Sequence, residues 1–155
     1  MWHSIVETSL TQFRGFLKES DWFGRENEIV NLYAHQFLAY EIHAHGPFSC
    51  LTQIGIEVGV TQVTGSVKKY VRKDLVIWPK PRMTIWTKGA VPAVVIEWKR
   101  DSIAATKADI RWLCAFTKRY PGTLGVTACA FMSDPRGLAW SFVERGRLSN
   151  ESLGR

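Results

Sequence analysis

Apolar residues recur along this chain in two rhythms. From 4 to 18, Ile5, Val6, Leu10, Phe13, Phe16 and Leu17 return every three or four positions, which is the stripe of an amphipathic helix. A polar break over 19–25 contains Gly24. The stripe resumes with Ile29, Val30, Tyr33, Phe37 and Tyr40 and predicts a helix over 26–44, ended by Gly46-Pro47. The period then changes to two. Ile54, Ile56, Val58 and Val60 alternate within 51–64, as in a half-buried strand, and Gly65-Ser66 makes the turn. A second strand is expected over 70–78, stopped by Pro79-Lys80-Pro81. A short extra strand over 83–87 precedes a turn at Lys88-Gly89, and a third main strand covers 93–99. Its run Val94-Val95-Ile96 suggests burial on both faces, hence a central position. A helix over 103–119 follows, with Ile103, Ile110, Leu113, Cys114 and Phe116 inward. Strands over 124–132 and 138–143 close the pattern.

These elements predict one α/β domain over 1–155. Its core, 26–132, has a mixed central sheet of four to five strands in αβββαβ order, flanked by helices. Residues 1–24 form a helical extension and 150–155 a loose tail. The strand–helix–strand unit after Ala93 should be a right-handed parallel crossover.

Composition changes this picture little. At 46% hydrophobic and 22% charged residues, the chain is an ordinary globular one. No apolar run approaches the ~18 residues of a membrane span, and no basic segment followed by an apolar one opens the chain, so a cytoplasmic protein is expected. Cys50, Cys114 and Cys129 are dispersed, which suits reduced thiols better than disulfides or zinc.

Charge adds more. The net charge is +6 and the pI about 9.4, favouring a polyanionic partner. Lys68, Lys69, Arg72 and Lys73 crowd together, Arg100 follows the third strand, and Lys107 and Arg111 lie at helical spacing. Tyr70, Trp78 and Trp86 are interleaved with the cations. These seven cations are the candidate nucleic-acid contacts. The plainer reading is a solvated surface with lysines guarding a sheet edge.

The chemistry concentrates on two strands. Residues two apart on a strand share a face, so Glu97 and Lys99 project together and Trp98 projects away. Asp74 is out of place inside a strand. If the second and third strands pair, Asp74 comes near Glu97. Two carboxylates about 4 Å apart repel by roughly 4 kcal/mol at an effective dielectric near 20. A divalent cation with oxygen ligands relieves that better than a lysine does. A plain salt-bridge network is the competing reading. Gln53 and Glu57 alternate along the first strand and lie on candidate walls of such a cleft. His43-Ala44-His45 reads as a helix end.

Asp74 followed, after 22 intervening residues, by Glu97-Trp98-Lys99 resembles the PD-(D/E)xK nuclease superfamily, whose fold is restriction-endonuclease-like. The likeness covers 26–132 and includes the element order. Where the family often has proline before the aspartate, this chain has Lys73. The resemblance implies Mg²⁺ or Mn²⁺ held by Asp74, Glu97 and the backbone carbonyl of Trp98, with Lys99 as the catalytic cation. It implies a metal-dependent endonuclease acting on structured or foreign DNA, and a dimer, for which the apolar helix over 4–18 is the candidate interface. The opening Glu26-Asn27-Glu28-Ile29-Val30 looks like the first helix of archaeal Holliday-junction resolvases, which carries a metal-site glutamate. Glu26 lies on the apolar side of this helix and is preferred to Glu28. A nuclease-like fold that binds DNA without cutting it, as a regulatory or accessory protein of a mobile element, is the alternative.

Overall fold

The structure, a computed structural model, describes residues 1–45, 51–65, 67–104 and 106–149. Gly46-Pro47, Cys50, Ser66 and the 150–155 tail lie outside the described residues.

The first stripe folds as α1 (Trp2–Glu19) and buries Ile5, Val6, Leu10, Phe13 and Leu17. The second becomes α2 (Glu26–Leu32), which runs through a π-helical segment (Tyr33–Leu38) into α3 (Ala39–His45). The start of α2 is fixed by Glu28, whose Oε2 accepts the Arg25 backbone N–H at 2.6 Å. That is half of a capping box. Then come β1 (Ile54–Thr61), β2 (Tyr70–Ile77), β3 (Val94–Arg100), α4 (Thr106–Arg119), β4 (Leu124–Phe131), β5 (Gly137–Glu144) and β6 (Arg147–Leu148).

The six strands lie in chain order in one sheet. All neighbours are antiparallel except β3 and β4, which run parallel with α4 as their crossover. β3 is central and buried from Val94 to Trp98, as its unbroken apolar run requires. One face packs α1, α2, the π segment and α3 against Leu75, Ile96, Trp98, Val126 and Trp140. The other packs α4 and the 79–92 segment against Val76, Val95 and Val143.

Four expectations need correction. The sheet has six strands rather than four to five, because β5 turns back through Arg145 (φ 50°) and Gly146 (φ 80°) to form β6. Two successive positive φ values make the tight hairpin turn whose twist matches antiparallel strands. Residues 83–87 form turns instead of a strand. Thr84 Oγ1 accepts the Trp86 N–H, and Thr87 N–H donates to the Thr84 carbonyl, so side chain and turn take the bonds a ladder would use. The inner face of α4 is rotated: Trp112, Leu113, Phe116 and Thr117 are buried, and Ile103 is exposed ahead of the helix. Finally, α1 is no extension. Phe13 packs against Tyr33, Phe37 and Trp98, so the apolar face expected to meet a second copy lies inside this chain.

The alternation in β1 also breaks. Glu57 adopts φ 52° and drops out of the ladder between Ile56–Leu75 and Val58–Lys73. Ile54 and Ile56 therefore pack with α1 and α2, whereas Val58 and Val60 pack with α4.

Candidate active site

The site sits where β2 and β3 part. Their ladder has three pairs, Ile77–Val94, Val76–Val95 and Leu75–Ile96. The next backbone N–H, that of Trp98, donates to Asp74 Oδ2 at 2.7 Å. An aspartate side chain thus replaces a strand at the fork, which explains how an otherwise disfavoured residue belongs there. Asp74 also lines a small cleft of about 50 Å³ with Glu26, Asn27, Val30, Ile56 and Glu57. Glu57 reaches that cleft through its left-handed backbone, a conformation costing about 1–3 kcal/mol. Its carboxylate lies 3.6 Å from the exposed Arg72. Gln53 does not reach it: buried, it donates to the Trp78 carbonyl at 2.9 Å.

Glu97 and Lys99 project to the α4 side, as alternation requires, and Trp98 is buried on the opposite side. Glu97 is held by the Lys73 ammonium, with both side chains almost wholly buried. Lys73 Nζ also lies 3.8 Å from the centre of the Trp112 ring. Burial pushes the Glu97 carboxyl from 4.5 up to about 7, and Lys73 opposes that rise. Lys73 is therefore a buried partner of Glu97 and not part of a phosphate-facing strip.

Lys99 is half-buried. Its Nζ donates to the Trp98 carbonyl at 2.7 Å and lies 3.3 Å from Asp109 Oδ2 and 3.9 Å from Glu26 Oε1. Burial works against its charge, but Asp109, Asp74 and Glu26 outweigh it and raise the pKa above the usual lysine value. Asp109 Oδ2 is buried without a hydrogen bond, so the ammonium is its compensation. Of the two helix glutamates, Glu26 approaches the site and Glu28 is occupied at the helix start.

Asp109 was absent from the expected set. Its position gave a signal: it lies three, four and seven residues before Trp112, Leu113 and Phe116, on the buried face of α4. The other candidate cations scatter. Lys68, Lys69, Arg72, Lys107 and Arg111 are exposed. Arg100 Nε lies 3.1 Å from Asp101, and its guanidinium sits over Phe23 at 4.3 Å. Trp78 is core.

Glu97 thus feels the charges of Lys73, Asp74 and Asp109, and Lys99 those of Asp109, Asp74 and Glu26, so four carboxylates lie within charge range of two ammonium groups. Among the described residues, no three His, Cys, Asp or Glu side chains already converge as a metal-holding group. Mg²⁺ does not need three. It keeps several waters and is commonly bound through one or two carboxylates. Hard oxygen donors and an excess of negative charge fit such a cation. No helix among the described residues is long and apolar enough to cross a membrane. No protein-family model, curated protein or solved structure matches the chain.

Proposed function

We propose that this chain is a Mg²⁺-dependent endonuclease acting on DNA, with the restriction-endonuclease-like core of the PD-(D/E)xK nucleases. The observation that carries this reading is the hydrogen bond from Trp98 N–H to Asp74. It fastens the acid of one strand to the Glu97-Trp98-Lys99 segment of the next, at a fork where a side chain and not a strand fills the gap. The order of α2, β1, β2, β3, α4 and β4, with only β3 and β4 parallel, supports the same reading.

Asp74, Glu97 and the Trp98 carbonyl are the groups that would hold the cation, with Glu26 at the rim. A bound Mg²⁺ supplies polarisation of the scissile phosphate and a water of lowered pKa. Glu97 must be ionised to take part, and its raised pKa makes that a competition with the proton near neutrality. Lys99 stays protonated, so it serves as a cation that orients the attacking water or stabilises charge building on the phosphate, and not as a base. Asp109 positions Lys99 from α4.

A second reading has its own observation. Glu97 with Lys73, and Lys99 with Asp109, already form a compensated ion-pair network, as a DNA-binding protein without catalysis would have. Incubation of supercoiled, linear, single-stranded and branched DNA with Mg²⁺ separates the two. Wild type is expected to cut at least one of these about 100-fold faster than Glu97→Ala and Lys99→Ala. Equal rates on all four would leave the non-catalytic reading.

A further inference from the structure

A second feature lies along β2 from the fork, on the α4 side of the sheet. Trp86 is the most exposed tryptophan among the described residues, at 79%. Such a side chain is usually hidden, and here the loop holds it out. Thr84 Oγ1 accepts the Trp86 N–H, Thr87 Oγ1 accepts the Thr84 N–H, and Gly89 supplies the positive φ of 71° that the following turn needs. Trp86 is thus displayed from a tied loop and loses little freedom on binding.

Beside it runs an open groove of about 470 Å³. Tyr70 meets Trp86 edge-on at 5.8 Å, and Tyr120 also lines the groove. The cations are placed with the rings. Lys69 lies over Tyr70, Lys88 lines the groove next to Trp86, and Arg119 lies over Tyr120. Among the described residues, the groove lining holds the two cations Lys69 and Lys88 and no carboxylate. A ligand for this groove therefore carries flat aromatic faces and negative charge.

We infer that the groove binds single-stranded DNA, with unpaired bases stacking on Trp86 and Tyr70 and phosphates held by Lys69 and Lys88. Exposed aromatics set among cations are how proteins hold single strands without reading sequence, whereas paired bases of a duplex offer no free faces. Tyr70 precedes Asp74 by four residues, roughly 13 Å at the strand rise. A strand end or an unpaired flank held here lies within a few nucleotides of the fork. The choice of DNA over RNA rests on the nuclease reading; the stacking does not.

The test is binding without divalent cations, so it stands even if the protein cuts nothing. Fluorescence anisotropy of a labelled oligo-dT about 15 nucleotides long is compared with a blunt duplex and an oligo-U. Trp86→Ala should weaken oligo-dT about tenfold, within a range of about five- to hundredfold, leave the duplex unchanged, and be rescued by Trp86→Phe. The double change Lys69→Ala, Lys88→Ala should reduce the slope of log affinity against log salt by about 1.4. Unchanged oligo-dT binding by Trp86→Ala overturns the inference, as does equal weakening of duplex and single strand. Oligo-U bound as tightly as oligo-dT overturns the choice of DNA. A change of oligomeric state in Trp86→Ala by light scattering would assign the surface to a second copy instead.

Discussion

Asp74 does two separable things. Its oxygen satisfies the Trp98 N–H at the fork, and its charge contributes to the carboxylate excess. Asp74→Asn keeps an acceptor and removes the charge, so it should fold with little loss while abolishing metal-dependent cleavage. Asp74→Ala should also lose about 1–3 kcal/mol, because a backbone donor is left unpaired. Urea melts beside the cleavage assay distinguish the two. Lys73 and Glu97 form the buried pair of the site. Lys73→Met leaves buried Glu97 without its partner and should cost about 3–5 kcal/mol at pH 8, where Glu97 is ionised, and less at pH 6, where it holds a proton. Adding Glu97→Gln should recover most of that, and a double-mutant cycle reads the coupling. The same pair sets a pH dependence. The folded state keeps a proton on Glu97 that the unfolded chain releases between pH 4.5 and about 7. Stability from this group is thus full below about pH 4.5 and is lost as pH rises through about 7. In metal-free protein, Glu97→Gln should flatten that decline.

At the scale of elements, the long apolar rhythms were readable and the interruptions were not. Both long helical stripes and the four main strands follow from periods of 3.6 and 2. Polar side chains that take backbone bonds decided the remainder. Thr84 and Thr87 turn a β-rich run, 83–87, into a displayed loop. Glu57 switches β1 from one face to the other, although Ile54 to Val60 reads as one alternation. The candidate site is legible in the same uneven way. Glu97 and Lys99 share a face because strand geometry demands it, and the preference for Glu26 follows from its side of a helix. The burial of Lys73 was hidden, since a lysine in a basic run reads as solvated until Trp112 and Glu97 are seen around it. The covering of α1 is hidden for a related reason: a stripe shows that a helix is covered, not by what. Phe13 supplies the check. It packs on Trp98, the residue between the two site side chains, so Phe13→Ala should cost about 3–5 kcal/mol in a denaturant melt. A value below about 1 kcal/mol would restore the extension reading.

The whole molecule reads as a sheet with two candidate sites along β2. The β2–β3 fork gathers carboxylates and lysines, and the neighbouring groove gathers aromatics and exposed cations. Charge along the sequence alone spreads the candidate polyanion contacts over seven cations. Folding divides them: Lys73 goes to the interior, Arg100 to Asp101 and Phe23, and Lys69 to the groove. The central claim is that the fork holds one divalent cation. Isothermal titration with Mn²⁺ at pH 8, where Glu97 is ionised, tests it without relying on a substrate. One saturable Mn²⁺ per chain in the wild type, lost in Asp74→Asn, is the expected result. Absence of binding by the wild type at millimolar Mn²⁺, or equal binding by Asp74→Asn, would contradict it.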